Sequence, residues 1–496
     1  MGGLITRQGR NELSLLIGVD LGTSETKAGL FDLEGNLLRL ARREYGIITH
    51  EQPGCAEQNP ETWWTAVCET VREVARDAPS PGLAAVCVQG QGPSLVMVDE
   101  HGRPLHNAVL WMDTRPCEER DDLSVRLGKP VSPFAHLPYA MWLKRQRTDR
   151  YRQAWRLLTA WDFVAYRLCG RAVTSVLASF HPFPPEGLAA AGLDAALFAP
   201  SVEGGRAIGG LTAEAGQQTG LPEGLPVVAG THDGLATFIG AGLVDVGRAA
   251  DVNGTSGGLA LCWNGPIDET GIFCEGWIHP GQYIVGGAMA TLGKALTWCR
   301  DQIARPDIGL DELMAEAMST PLGADGLVFL PYLAGERAPI WDPRARGVFF
   351  GLTLRHTRAH LARAVLEGVA FAMRHLAEVL SEVGAQVSQL RVCGGQARSM
   401  AWNRIKADVT GFPVEVPRVT EAALLGAAVL AGVGAGLLPD ITTGANRMVR
   451  IEAVLQPHLD RHRRYTELYG VYRRLYPDLR TAFHQLGEIV EGEREK

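Results

Sequence analysis

The sequence predicts an α/β chain made of two duplicated domains, and three observations carry that expectation. The chain has 496 residues, well beyond the ~250–300 at which a single core stops growing. In each half, short apolar runs that read as strands give way to stretches with helical periodicity. The pattern strand, Gly-Thr-Ser, strand occurs twice, as Gly22-Thr23-Ser24 and as Gly254-Thr255-Ser256, about half a chain apart. The two copies place a first domain at residues 14–248 and a second at 249–480.

Residues 1–13 read as a loose arm. Residues 15–21 and 27–32 alternate as two strands of a hairpin around the first Gly-Thr-Ser. "PETWWTAVCETVREVARDA" is helical, with Pro60-Glu61 suited to a first turn. Ala84–Val88 is a third strand, and "SLVMVDEHGRPL" reads as strand, turn, strand. "LLTAWDFVAYRLCG" is a helix closed by glycine, and Pro226–Gly230 is a buried strand. After the second Gly-Thr-Ser, "GGAMATLGKALTWCRDQIA" is helical, and a long amphipathic helix begins near Thr357. "QLRVCGG" is a strand entering a glycine turn, "SMAWNRIKADVTG" is a helix capped by Gly411, and "TEAALLGAAVLAG" is another helix. The tail from Arg461 is helical and ends in solvated charge.

Composition narrows the function classes. Forty-eight basic against 55 acidic residues give a formal charge of -7, so no basic excess supports a nucleic-acid partner. Nine dispersed cysteines with no C-x-x-C pair fit reduced thiols and a cytoplasmic location. The N-terminus lacks the apolar core of a signal peptide. The longest uncharged apolar stretch, Ala422–Leu438, has 17 residues. As a helix it spans ~25 Å, short of the ~30 Å of a bilayer core. We read it as a buried helix and expect no membrane association.

Glycine lets backbone N–H groups converge on an anion, and Thr and Ser add hydroxyl donors. One such cup on each domain, facing across a cleft, would grip a polyphosphate from both sides. Asp20 precedes the first cup by two residues. A carboxylate beside phosphate makes sense with a cation between them, and Mg²⁺ needs few carboxylates; the alternative is a strand-end turn residue. There is no Walker A loop and no G-x-G-x-x-G after a strand. The His356/His360 and His458/His462 pairs read as surface histidines. Asp233, in "VVAGTHDGLATFIGAG", follows a buried strand, where open α/β sheets bind ligands. It is placed to take a proton from an acceptor hydroxyl, or it is simply half of an Asp-Gly turn. In "LWMDTR", Trp111 offers an aromatic face and Asp113 a carboxylate to a sugar, or they form a core Trp and a capping Asp. Gln89, in "VQGQGPS", suits hydroxyl recognition at a strand end.

Together these segments resemble the FGGY family of carbohydrate kinases, over roughly Leu15 to Leu475. The pieces come in family order: "GVDLGTSETKAGLFD", "LWMDTR", "GTHDG", "NGTSGG", "YLAGERAPIWDPRARGVFFGLTL", "CGGQARSMAWNRIKADVTGFPV" and "EAALLGAAVLAG". The stretch Gly347 to Glu367 has the signature spacing of Gly347, Phe349, Gly351, His360, Leu361, Ala364 and Glu367. The resemblance implies two actin/hexokinase-like, ribonuclease-H-like domains with an interdomain cleft, and ATP and Mg²⁺ as cofactors. It implies that Asp233 is the catalytic base and that Asp20, with Gly22, Thr23 and Ser24, forms the first magnesium and phosphate motif. Gly254, Thr255 and Ser256 would form the second, and Gly394, Gly395, Gln396 and Asn403 the adenosine motif. Gln89, Trp111, Asp113 and His232 would face the sugar. The implied partner is a small sugar or polyol, and the resemblance allows a homodimer. Cys393 stands where many members have glycine, and Asn403 replaces a longer residue. "VQGQGPS" matches neither the Met-His-Gly of typical xylulose kinases nor the Asn-Gln-Arg-Glu of glycerol kinases. "GERAPIWDPRARGVFFGL" puts a ketopentose such as xylulose first, with tetritols, pentitols and gluconate open. A non-catalytic nucleotide-binding regulator on the same fold is the other reading.

Overall fold

The computed structural model describes residues 14–49, 53–78, 82–132, 135–253, 257–269, 271–304 and 307–494. The chain divides into two compact units: the first runs to Gly242 and takes in Ala422–Arg450, and the second comprises Leu243–Glu421 and the chain from Ile451 on.

Among the described residues, the first unit's largest sheet has six strands. Their order is Ala207–Gly210, Pro226–Val228, Leu83–Gly90, Leu15–Leu21, Glu25–Asp32, Leu37–Glu44. Leu15–Leu21 is antiparallel to Glu25–Asp32 and parallel to Leu83–Gly90. Alternation divides its side chains between two faces. Ile17, Val19 and Leu21 join a core with Trp63 and Val67 of the helix Pro60–Ala75 and with Trp161. Gly18, on the other face, lies under the helix Ala422–Gly434: a Cβ there would sit 2.4 Å from the Leu424 carbonyl oxygen. That helix touches the helix Asp233–Gly240 backbone to backbone. A Cβ on Gly426 would meet the Ala236 carbonyl oxygen at 1.9 Å, and one on Gly240 the Ala422 carbonyl oxygen at 1.8 Å. A smaller sheet pairs Glu57–Gln58, Ala108–Val109, Leu95–Val98 and Arg156–Thr159 in that order.

The second unit repeats the opening arrangement. Arg248–Asn253 is antiparallel to Gly257–Asn264 and parallel to Gln389–Cys393. Among the described residues its sheet has seven strands, in the order Phe273–Gly276, Gln282–Met289, Gly257–Asn264, Arg248–Asn253, Gln389–Cys393, Val414–Pro417, Ile451–Leu455. The helices Arg358–Glu382, Met400–Thr410 and Leu459–Arg494 contribute Phe371, Trp402 and Tyr465 to one core with Leu259, Val285 and Val392. Within the stretch from Gly347 to Glu367, Glu367 is buried and accepts from Arg363 Nε (2.6 Å), the Tyr465 hydroxyl (2.7 Å) and Gly323 N–H (3.1 Å). It thereby ties the long helix to the C-terminal one.

Three expectations differ from the fold. Residues 422–450 belong with the first unit, whereas the sequence reading kept 249–480 together and divided the halves at 248; the glycine seam with Asp233–Gly240 is the physical reason. Arg156–Thr159 is a strand, and the helix starts only at Ala160, where the Thr159 hydroxyl accepts from Asp162 N–H. Gln282–Met289 is a strand rather than the start of a helix; a Cβ on Gly286 would meet the Leu259 carbonyl oxygen of the paired strand at 2.0 Å, and one on Gly287 the Ala338 Cβ at 2.3 Å. Among the described residues, no helix is long and apolar enough to cross a membrane. The reading of residues 1–13 as an arm lies outside the described residues.

Candidate active site

In the first unit three parallel strands end together. Asp20 and Gln89 are register partners, Gly90 bridges to His232, and Gly90 N–H donates to the Thr231 carbonyl at 3.2 Å. Asp20, Gln89 and Thr231 thus form a row across the carboxyl ends of neighbouring strands, the place where open α/β sheets bind ligands. Two residues beyond Thr231, Asp233 opens the helix Asp233–Gly240.

The Gly22-Thr23-Ser24 turn is closed by Gly22 N–H donating to the Glu25 carbonyl at 3.0 Å. Its carbonyls are held from outside. Tyr45 Oη donates to Gly22 O at 2.6 Å, Gln58 Nε2 to Thr23 O at 2.7 Å and Tyr45 N–H to Ser24 O at 2.9 Å. Trp111 Nε1–H donates to Thr23 Oγ1 at 2.9 Å. Gln91 Nε2 reaches Gly22 O at 3.3 Å and Gln58 Oε1 at 3.0 Å. Gly22 N–H and the turn's three carbonyls are engaged, so an anion cup here would be built from the N–H groups of Thr23 and Ser24.

His232 caps the Asp233 helix, its Nδ1 accepting from Gly234 N–H at 3.1 Å. Its proton therefore sits on Nε2, which donates to the Gly92 carbonyl at 3.0 Å. Both nitrogens are engaged, so His232 aims its neighbour rather than offering a free polar tip. Asp233 Oδ1 lies 3.2 Å from His232 Nδ1 and accepts from Gly234 N–H at 2.7 Å, and its side chain is 40% exposed. The base candidate is thus held at a helix N-terminus and reachable from solvent.

The remaining sugar-side candidates separate. Gln89 is wholly buried, and neither its Oε1 nor its Nε2 has a hydrogen-bond partner. Asp113 is fully committed elsewhere: it accepts from Ala56 N–H at 2.9 Å and holds Arg115, which also pairs with Glu57 at 2.7 Å. Burial lowers the Arg115 pKa, but the hydrogen bonds of Asp113 and Glu57 outweigh it and hold the guanidinium above its ordinary value. Trp111 is spent on Thr23 and accepts from the Tyr139 hydroxyl at 3.0 Å. The "LWMDTR" stretch therefore braces the Gly22-Thr23-Ser24 turn through Trp111, while the Asp113 carboxylate is occupied by Ala56 N–H and Arg115.

In the second unit, Gly254, Thr255 and Ser256 lie outside the described residues. Just before them, Asp251 is fully buried and accepts from Lys406 Nζ at 2.6 Å; Lys406 is buried too and lies 4.7 Å from the Trp402 ring centroid. Gly394 takes φ +77°, a conformation glycine adopts freely, and its N–H donates to the Thr420 carbonyl at 2.9 Å. Nothing lies within 4 Å of a Cβ built on Gly395. Asn403 is buried, with Nδ2 donating to Ala397 O at 2.7 Å, while its Oδ1 and the Gln396 Oε1 are buried without partners. Burial pushes the Cys393 thiol up to about 12. The glycine turn of the adenosine candidate thus has open space and orphaned acceptors.

Sequence reasoning missed His136, Trp161, Thr231 and Phe180. His136 sits edge-on to Trp161 (5.9 Å between centroids) and to Phe180 (6.1 Å), and both of those rings contact His232. His136 Nε2, Trp161 Nε1 and Thr231 Oγ1 are buried without partners. Only Thr231 carried a local signal, as the residue before His232-Asp233. The other three come from distant segments that the fold gathers around Gly92.

Comparison with known proteins extends these observations. Residues 15–240 match the N-terminal domain and residues 252–435 the C-terminal domain of the FGGY family of carbohydrate kinases. The L-xylulose/3-keto-L-gulonate kinase of Escherichia coli (strain K12) is 30% identical over 501 residues, covering 94% of this chain and 97% of that protein. The gluconokinase of Bacillus subtilis (strain 168) is 29% identical over 509 residues, covering 97% and 99%. The ligand-bound xylulose kinase from Lactobacillus acidophilus superposes with a TM-score of 0.84 at 25% identity, covering 96% of this chain and all of that one.

Proposed function

The chain belongs to the FGGY family of carbohydrate kinases and phosphorylates a sugar or polyol with ATP; from that premise we propose that its acceptor is a ketopentose, xylulose foremost, and that Asp233 is the base. One observation carries the residue assignment: Asp233 stands exposed at a helix N-terminus, beside Gln89 and Thr231, whose buried side-chain polar atoms lack partners. Its carboxylate takes the proton of the hydroxyl that attacks the terminal phosphate, a function worth ~10²–10⁴ in rate. His232 keeps it oriented through the helix cap. The Gly22-Thr23-Ser24 cup holds phosphate oxygens. Gly394, Gly395, Gln396 and Asn403 receive the nucleoside, and Gly254, Thr255 and Ser256 are assigned to phosphate by the resemblance.

Bound Mg²⁺ would neutralise phosphate charge. Among the described residues, no three His, Cys, Asp or Glu side chains converge as a metal cage. Mg²⁺ needs only one or two carboxylates beside phosphate oxygens, and Asp20 at the strand end next to the cup fits that role. The names of two relatives, L-xylulose/3-keto-L-gulonate kinase and xylulose kinase, support a ketopentose, while 3-keto-L-gulonate and the gluconokinase of Bacillus subtilis keep a sugar acid as the alternative. The distribution of motifs supports a first domain that binds sugar and phosphate and a second that binds the nucleotide. A coupled ADP-release screen over ketopentoses, tetritols, pentitols, glycerol and gluconate tests the proposal. Xylulose should give the highest kcat/KM, and no sugar-dependent ADP release from any of them would refute it.

A further inference from the structure

Residues 144–152, "KRQRTDRYR", carry five basic side chains against one aspartate, in a chain whose formal charge is -7. Such a local excess draws anions toward the surface that bears it. The segment ends the helix Leu137–Gln146 and forms the short helix Thr148–Arg152. Beside it the first unit has a cavity of about 460 Å³, lined by Arg115, Glu118, Trp142, Arg145, Gln146 and Arg147. That volume falls within the ~300–1,000 Å³ typical of small-molecule sites. None of the six lining residues is an active-site candidate.

The three arginines are anchored, and each keeps one nitrogen free. Arg115, whose side chain is only 6% exposed, donates through Nε to Asp113 at 3.0 Å and through Nη2 to Asp113 at 2.6 Å and Glu57 at 2.7 Å. Arg145 Nη2 donates to Glu118 at 3.0 Å, and its Nε lies 2.9 Å from Glu119. Arg147 donates through Nε to His106 Nε2 at 2.9 Å and through Nη1 to the Gln146 carbonyl at 3.0 Å. Among the described residues, no hydrogen bond reaches Arg115 Nη1, Arg145 Nη1 or Arg147 Nη2, and Arg147 has no carboxylate partner. The Arg115 and Arg147 guanidinium groups also lie over the Trp142 ring, 4.3 and 5.2 Å from its centroid, which helps hold them in place.

Three anchored guanidinium groups with N–H donors to spare match the oxygens of a phosphate group. The acids around them, Asp113, Glu57, Glu118 and Glu119, are already paired with Arg115 or Arg145. The charge left uncompensated is that of Arg147. Glu118 and the Gln146 amide, on the same wall, can bond hydroxyls next to the phosphate.

We infer that this cavity is a second ligand site, built from residues other than the active-site candidates, and that it binds the phosphate group of a small, hydroxyl-bearing phosphomonoester. The inference does not depend on the kinase reading.

Equilibrium dialysis on the full chain tests it, with the nucleotide site filled by a non-hydrolysable ATP analogue. The probes are ribose 5-phosphate, glycerol 3-phosphate and inorganic phosphate. The esters should bind saturably with Kd below about 1 mM, and more tightly than inorganic phosphate. Arg147→Gln should weaken ester binding about tenfold or more, with an unchanged melting temperature and KM for ATP. Arg145→Gln should weaken it as well and carries the test should Arg147→Gln fail to fold. No saturable ester binding up to about 10 mM, or the same Kd in wild type and both variants, overturns the site. Inorganic phosphate bound as tightly as the esters overturns the assignment to an ester.

Discussion

The two opening hairpins are built alike and equipped differently. In the first, Asp20 stands two residues before Gly22 and pairs in register with Gln89. In the second, the same position is Val252, paired with Cys393, whose buried thiol stays protonated. The second hairpin has its carboxylate one residue earlier, at Asp251, where the first has the core residue Val19. Successive strand residues face opposite ways, so that one-residue offset sends the carboxylate to the other side of the sheet. There it meets Lys406 in a fully buried ion pair. The duplicated frame thus carries a polar row at its strand ends in one copy and an internal anchor in the other. We read the first copy as the site of chemistry and the second as a clamp on the helix that bears Asn403.

That contrast can be broken or sharpened by substitution. Asp20→Asn should lower kcat about 100-fold or more and leave the melting temperature nearly unchanged, because the lost charge acts on bound phosphate and metal. Steady-state kinetics beside a thermal melt checks this, and the opposite pattern would reverse the assignment of roles. Asp251→Asn should do the reverse in kind. It leaves Lys406 buried and unpaired, at about 3–5 kcal/mol of stability in chemical denaturation, whereas the double variant Asp251→Leu/Lys406→Met should regain most of it.

A pH test distinguishes buried acids in the two units. Burial raises Glu336, in the second unit, to about 7, and Asp162, in the first, to about 6. Each binds a proton in the folded state at a pH where the unfolded chain has released it. Each therefore contributes stability that is full below the unfolded value and lost as pH rises through the folded one. For Glu336 that window runs from 4.5 to about 7, with a slope of up to ~1.4 kcal/mol per pH unit. Glu336→Gln should flatten the fall of stability across it, and an unaltered slope would show that Glu336 stays ionised. The smallest effect concerns the phosphate turn: Tyr45→Phe removes the hydrogen bond to Gly22 O. It should cost ~0.5–1.5 kcal/mol and raise KM for ATP a few-fold, read from denaturation and initial rates.

The hairpins, the base candidate and the glycine turns were legible because each is written locally, in a strand ending at glycine or in Asp-Gly after an apolar run. Other features needed the fold. That Ala56 and Glu57, outside "LWMDTR", pair with Asp113 and Arg115 is not written in that stretch. The return of Ala422–Arg450 to the first unit depends on Gly18, Gly240 and Gly426 meeting backbone at close range, which no periodicity reveals. Gln282–Met289 is apolar on both faces, so alternation could not mark it as a strand. The surroundings of His136 were invisible because its ring partners, Trp161, Phe180 and Phe183, come from two other segments.

The central claim is that the carboxylate at Asp233 takes the proton from the acceptor hydroxyl. Single-turnover phosphoryl transfer by Asp233→Asn, with ATP affinity measured in parallel, tests it most directly. The account expects transfer to fall ~10²–10⁴-fold while ATP binds as in the wild type. Transfer at the wild-type rate with ATP still bound would contradict it.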